Sequence, residues 1–162
     1  ATFATQRYVA RTSLFRKVGE WDESLPAWND YELGVRILLA NPKIKRLKGN
    51  ATVTVVLQEE SITGTKFSAK PQCWEIALNA IDKALDNSNL QSMKKYIEVR
   101  RVILAGFYQR EGAISDARRL LKEVMSRSGW YRKIIMHLFF NIISRGGRGI
   151  ALLARPLLCF SK

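Results

Sequence analysis

The chain has 162 residues and a formal net charge of +13, and 47% of its residues are hydrophobic while 25% are charged. These fractions are typical of a folded protein and exclude an intrinsically disordered chain. Only two cysteines occur, Cys73 and Cys159, and their wide separation excludes a disulfide framework and a cysteine-based zinc site.

The positive charge is concentrated in the second part of the chain. Residues 1–93 contain 12 Lys and Arg against 10 Asp and Glu, whereas residues 94–162 contain 15 against 4. The corresponding net charges are +2 and +11. A near-neutral region followed by a basic one predicts an anionic partner for the second region: membrane lipid, nucleic acid or a phosphorylated carrier.

The first 40 residues are predicted to form a strand followed by two helices. The pattern of Phe3–Ala10 indicates a strand, and Ser13–Val18 indicates a short helix that ends at Gly19. Asn29 is a favourable N-cap, and it precedes an apolar stripe with i, i+4, i+7 spacing. This combination predicts a helix over 29–40.

Beyond this helix the pattern is first β-branched and then helical. Alternating β-branched residues predict a pair of strands at 44–47 and 51–57, joined by a Gly-Asn turn. The predicted fold class is therefore α+β, with a boundary near residue 70 that separates region 1–70 from region 71–162. Every element after this boundary is predicted to be helical, over 71–86, 90–111, 114–127, 129–144 and 149–160.

Two short motifs follow one another within Arg11–Leu39. Val18–Glu23 reads V-G-E-W-D-E, and Asn29–Leu33 reads N-D-Y-E-L and is followed by Arg36. This segment resembles a stretch near the end of the catalytic domain of family 2 glycosyltransferases. In that family a G-x-F-D-E loop leads into an E-D-Y-E-L-x-x-R helix, so Asn29 departs from the pattern by replacing a glutamate.

The resemblance implies a fold, a reaction and a set of partners. Residues 1–70 would be the C-terminal, acceptor-side part of a GT-A α/β catalytic domain, which transfers a sugar from a nucleotide-sugar donor with inversion. The acceptor would be a carbohydrate or a lipid-linked carrier. A divalent metal, Mg²⁺ or Mn²⁺, is expected for the complete enzyme, with ligands outside this chain. Because the chain begins at Ala1 without Met or a signal-type segment, we expect it to be a fragment that is inactive alone.

Asp30 corresponds to the general base of that family. A carboxylate that is positioned to take the proton of an attacking hydroxyl accelerates such reactions typically by ~10²–10⁴-fold. The predicted helix N-terminus favours the ionised carboxylate, and Gly34, one turn further on, is expected to leave space beside it. The alternative interpretation is that Asp30 is a first-turn acid that only stabilises its helix.

Three further residues are candidates for the acceptor side of the site: Trp21, Trp28 and Asn29. The tryptophans could stack on an acceptor sugar, although packing as anchors of the loop is the alternative.

The other charged residues of the motifs are interpreted structurally. We expect Asp22 to satisfy backbone groups of its own loop rather than to bind a metal. Glu32 and Arg36 have i, i+4 spacing, which predicts a surface ion pair.

The basic region combines short apolar runs with aromatic and basic residues. A helical hairpin is predicted over 99–126. The apolar runs 134–143 and 150–160 are too short to span a hydrocarbon core, which needs about 20 residues. Their basic and aromatic flanks favour helices that lie in an anionic membrane interface, and the alternative is a buried helical core. Nucleic acid ranks below both because no recognition motif is present.

The sequence thus predicts part of a glycosyltransferase for surface polysaccharide or glycolipid synthesis, located peripherally on the cytoplasmic face of a bacterial-type cell membrane. The alternative is a non-enzymatic helical adaptor or membrane-binding module.

Overall fold

The computed structural model of the protein describes residues 8–45, 66–150 and 153–154. Within these ranges the chain forms six α-helices, and short 3₁₀ turns at Phe67–Ala69 and Gln91–Met93 precede the third and fourth of them. The helices are α1 (Thr12–Lys17), α2 (Asn29–Leu39), α3 (Pro71–Asp86), α4 (Lys94–Arg110), α5 (Ile114–Ser126) and α6 (Trp130–Ser144).

The predicted α+β class is wrong for this chain: no residue in the described ranges belongs to a strand, and the protein is all-α there. The predicted strands at 3–10, 44–47 and 51–57 lie largely outside the described residues. Their described parts, 8–10 and 44–45, have no regular secondary structure. The prediction rested on β-branched alternation, which indicates a strand only where a neighbouring strand can pair with it.

The helix predictions are confirmed wherever the chain is described, and the reasons are local. Pro71 occupies the first turn of α3, where its missing N–H costs no hydrogen bond. Gly112, with φ +92°, joins α4 to α5 in the backbone conformation that glycine adopts most readily. The predicted hairpin over 99–126 is therefore present. Of the predicted last helix, Ile150, Leu153 and Ala154 are helical, and the remainder lies outside the described residues.

Helix α4 is the centre of the fold, since it packs against α3, α5 and α6, while α2 packs on α3. Two apolar clusters hold these helices together. The first joins α2 and α3 to α4 and α5, with Leu78, Ile81 and Tyr108 fully buried. The second joins α4 and α5 to α6, around Met136 and Phe139. Helix α2, which carries the second motif, is thus anchored to the same core as the basic helical region.

A buried charged residue lies between α3 and α4. Arg101 has almost no exposed surface, and its guanidinium lies 2.8 Å from Asp82 Oδ2 and donates to Asn79 Oδ1 at 2.6 Å. Asp82 also lies 3.8 Å from Arg127, which is half exposed. Asn79, Asp82 and Arg127 line a polar cavity of about 380 Å³.

The close approach of α4 and α6 depends on Gly106. A Cβ at this position would lie 2.5 Å from Ile143 Cγ2 and 2.7 Å from Ile143 Cβ. We expect Gly106→Ala to lower the free energy of unfolding by up to about 2 kcal/mol, because overpacking costs ~1–3 kcal/mol whereas the helical preference for Ala returns only ~1 kcal/mol. Urea unfolding measures the change. An equal cost in an Ile143→Ala background would contradict this explanation.

Candidate functional site

Asp30 lies in the first turn of α2 and is half-buried. Its Oδ1 accepts a hydrogen bond from the backbone N–H of Tyr31 at 2.8 Å. The backbone N–H of Asp30 in turn donates to Asn29 Oδ1 at 2.9 Å. Asn29 is the first residue of α2 and Trp28 is the N-cap, so the prediction that Asn29 is the N-cap is wrong.

The backbone before Asp30 has an uncommon conformation. Trp28 has φ 54° and ψ 26°, the left-handed region that bulky residues rarely adopt. Such conformations persist only where the surrounding structure holds them, and they concentrate at functional sites. Here the ring of Trp28 packs against Phe67, Trp74 and Tyr31, and the guanidinium of Arg100 lies 4.8 Å from the ring centroid.

This packing supports the anchoring interpretation of Trp28. Because its ring contacts three aromatic side chains and lies beside the Arg100 guanidinium, Trp28 holds the start of α2 against the core, and only part of its surface is exposed. Trp21 lies elsewhere, against the edge of Phe15 with the ring centroids 6.1 Å apart, and it lines an open groove. The structure thus does not bring the two tryptophans together on one surface.

Tyr8 is a neighbour of the site that the sequence did not indicate. The pKa of Tyr8 is raised, first by burial and then by the negative charge of Asp30. This electrostatic effect is the described link between Tyr8 and Asp30. Tyr8 was predicted only as a strand residue, and no sequence signal links it to α2.

Arg36 joins the two motifs physically. Its guanidinium binds both carboxylate oxygens of Glu32, at 2.7 and 2.8 Å. It also donates to the backbone carbonyls of Val18 and Glu20, the latter at 2.7 Å. These carbonyls lie where the chain turns through Gly19 and Glu20, both with positive φ. The Glu32–Arg36 pair, called the clamp below, therefore fixes the loop of the first motif on the helix of the second.

The predicted i, i+4 ion pair of Glu32 and Arg36 is present, but its predicted location on the surface is wrong. The side chain of Glu32 is 5% exposed and that of Arg36 is 20% exposed. By contrast, Glu123 and Arg127 have the same i, i+4 spacing at the end of α5 with exposures of 32% and 52%. The i, i+4 spacing does not distinguish a buried ion pair from an exposed one. It does not show that the loop of the first motif covers one face of α2.

We expect Glu32→Gln to lower the free energy of unfolding by about 2 kcal/mol, since the partly buried guanidinium loses a bidentate charged partner. The matched change Glu123→Gln should cost less than about 0.5 kcal/mol, as is usual for exposed pairs. Urea unfolding of both variants measures the difference. A similar small loss in both variants would show that the clamp is not a strong contact.

An open groove of about 690 Å³ lies beside the clamp, and its lining includes Trp21, Asp22 and Lys83. Asp30 is not among the residues that line it. Asp22 accepts hydrogen bonds from the hydroxyl and the backbone N–H of Ser24, which lower the pKa of Asp22. The expectation that Asp22 serves its own loop agrees with these contacts.

Two further observations define the surroundings of Asp30. Gly34, one turn after Asp30, is buried, and the expectation that it leaves space beside the Asp30 carboxylate stays a prediction. In the part of the chain that the structure describes, no three His, Cys, Asp or Glu side chains converge as a metal site. We therefore assign no metal ligand among the described residues, and no step below is routed through a metal.

Within the described ranges, no helix is both long enough and apolar enough to cross a membrane. Comparison with known protein families, curated protein sequences and solved structures finds no match to this chain.

Proposed function

We propose that this chain supplies the acceptor-side catalytic residues of an inverting glycosyltransferase, with Asp30 as the general base. The observation that carries the proposal is the clamp. The two motifs that resemble family 2 glycosyltransferases are separate in sequence, and Arg36 binds the carbonyls of the first while pairing with Glu32 of the second. Because the same guanidinium contacts both motifs, we treat them as one functional unit.

The proposed chemistry is a single displacement. The acceptor hydroxyl oxygen forms a bond to the anomeric carbon as the bond from that carbon to the diphosphate oxygen breaks, which inverts the configuration. The hydroxyl proton passes to the carboxylate of Asp30, and the electron pair of the broken bond leaves with the nucleoside diphosphate. A bound divalent metal would supply charge neutralisation at that leaving group.

The contacts of Asp30 leave its carboxylate available to a substrate. The described contact to its Oδ1 comes from the backbone N–H of Tyr31, which orients the carboxylate. No cationic side chain is paired with Asp30 among the described residues. A substrate hydroxyl therefore does not have to displace an ion-pair partner that these residues supply.

The proposed setting is the cytoplasmic face of the cell membrane, with the protein bound peripherally and acting on a polysaccharide or lipid-linked acceptor. The net charge of +11 on residues 94–162 supports an anionic surface as the location.

The test is an activity assay on the full-length gene product. The coding sequence upstream of Ala1 is first translated in frame, to see whether it contains an apolar strand followed by a D-x-D motif. The product is then incubated with a panel of UDP-, GDP- and dTDP-sugars and saccharide acceptors, and release of nucleoside diphosphate is measured. Acceptor-dependent release is the expected result, and its absence with every pair, together with an upstream frame without such a motif, would overturn the proposal.

The helical adaptor or membrane module remains the second candidate, because every regular element in the described ranges is helical. This candidate predicts association with a partner or a membrane without nucleotide release in the same assay.

A further inference from the structure

Helix α6 carries an apolar surface that the core does not cover. One face of the helix is buried through Ile135, Met136, Phe139 and Ile143. On the other side Trp130, Ile134 and Leu138 are exposed by 76%, 61% and 52%. Their i, i+4, i+8 spacing places them in one row along the helix, called the α6 stripe below. Exposed apolar rows of this kind mark interaction surfaces rather than ordinary solvent-facing positions.

The charges around the stripe are of one sign. From Val124 to the end of the chain the sequence contains seven Lys and Arg and no Asp or Glu. Lys133 and Arg145, near the two ends of α6, are exposed, and so is Arg148 just beyond. Arg127 and Arg132 are exceptions, since Arg127 pairs with Glu123 of α5 and Arg132 pairs with Glu98 of α4. A partner for this side must therefore offer apolar contact and negative charge together.

We propose that the α6 stripe is the contact with an anionic lipid bilayer, and that α6 lies parallel to the membrane surface. Apolar side chains of an interfacial helix enter the boundary between headgroups and acyl chains, while lysine and arginine bind anionic headgroups. Trp130 and Tyr131, at the start of α6, have the amphipathic rings that favour this boundary. Among the described residues, α1–α5 do not combine an exposed apolar row with a surrounding sequence free of acidic residues.

This inference deepens the membrane-peripheral setting of the proposed function by naming its surface and its lipid class. The membrane contact of α6 does not depend on Asp30, so an experiment can contradict either the membrane contact or the role of Asp30 without affecting the other. A transfer assay with a water-soluble acceptor reports on Asp30, whereas vesicle binding reports on α6.

The experiment is co-sedimentation of the nuclease-treated protein with vesicles of phosphatidylcholine alone and with 30 mol% phosphatidylglycerol, a composition chosen at about the anionic content of a bacterial membrane. We expect binding to the anionic vesicles at low salt, a marked loss at 0.5 M salt, which is about three times physiological ionic strength, and little binding to the neutral ones. Binding should also shift the emission of Trp130 to shorter wavelength, because Trp130 is the most exposed of the four tryptophans.

The variant Trp130→Ser/Ile134→Ser/Leu138→Ser should reduce the partition coefficient at least ~10-fold, since three apolar side chains no longer enter the bilayer. The control Ile76→Ser/Ile114→Ser changes two exposed isoleucines outside α6 and should leave binding unchanged. Circular dichroism confirms that each variant is folded.

Several outcomes would overturn the inference. They are no binding to anionic vesicles at low salt, equal loss in the control variant, or undiminished binding of the folded stripe variant. Concentration-dependent dimers that the stripe variant abolishes, without vesicle binding by the parent protein, would assign the stripe to a second copy of the chain. Binding that nuclease treatment removes would assign the basic region to nucleic acid.

Discussion

Asp30→Asn is expected to lower the rate of sugar transfer by the full-length gene product by ~10²–10⁴-fold, because an amide cannot accept the proton of the attacking hydroxyl. The amide oxygen can still accept the hydrogen bond from the N–H of Tyr31 that Asp30 Oδ1 receives. The change should therefore leave folding and substrate binding nearly intact. Steady-state assays of nucleotide release measure it, and kcat should fall while KM changes little.

The matched control is Asp116→Asn. Asp116 is also an acid in the first turn of a helix, in α5, and it lies 3.4 Å from Arg119 on the surface. Both changes remove one negative charge from a helix N-terminus, so the general effect on helix stability is similar in the two variants. A large loss of rate in Asp30→Asn alone supports the base. Retention of most of the turnover, or an equal loss in both variants, would reduce Asp30 to a helix-stabilising residue.

Arg101→Met is expected to produce the largest loss of stability, about 3 kcal/mol or more, because removing one member of a buried ion pair leaves the other without compensation. The side chain of Arg101 is 2% exposed and contacts Asp82 and Asn79. Arg127, 3.8 Å from Asp82, offsets only part of this loss because its side chain is half exposed. The midpoint of urea unfolding at constant slope gives the change in free energy.

Two controls separate the buried charge from other effects. Arg119→Met removes a half-exposed arginine that binds both carboxylate oxygens of the partly buried Glu75, and it should cost clearly less than Arg101→Met, about 1 kcal/mol. In the double variant Arg101→Met/Asp82→Leu no unpaired carboxylate remains, so most of the lost stability should return. If the double variant is as unstable as Arg101→Met, packing rather than charge explains the role of Arg101.

The helices could be predicted because their signals are local. Pro71 begins α3 and Gly112 separates α4 from α5, and both signals depend on backbone conformations within one or two residues. The fold class could not be predicted in the same way, since β-branched residues at 44–47 and 51–57 indicate strands without showing that a sheet exists. Tertiary packing of an amphipathic face gives most helices their stability, and a single sequence does not contain the list of contacts.

In the candidate site too, the local features could be predicted from the sequence and the tertiary contacts could not. The position of Asp30 in the first turn of α2 followed from the sequence, as did the use of Asp22 within its own loop. The burial of the Glu32–Arg36 clamp did not, because the loop that covers it is placed by bonds to the carbonyls of Val18 and Glu20, and a carbonyl carries no sequence signature. Tyr8 and Arg100 were also missed, since each reaches the start of α2 from a distant part of the chain.

The clamp has a consequence for motion as well as for stability. Because one guanidinium holds both the turn at Gly19–Glu20 and the first turns of α2, we expect these segments to open as a single cooperative unit rather than as a loose loop beside a rigid helix. Under the proposed function, a movement that brings the Asp30 carboxylate toward the acceptor hydroxyl would carry the loop of Trp21 with it. Substitutions in this loop would then change the rate of transfer even where the substituted residue does not touch a substrate.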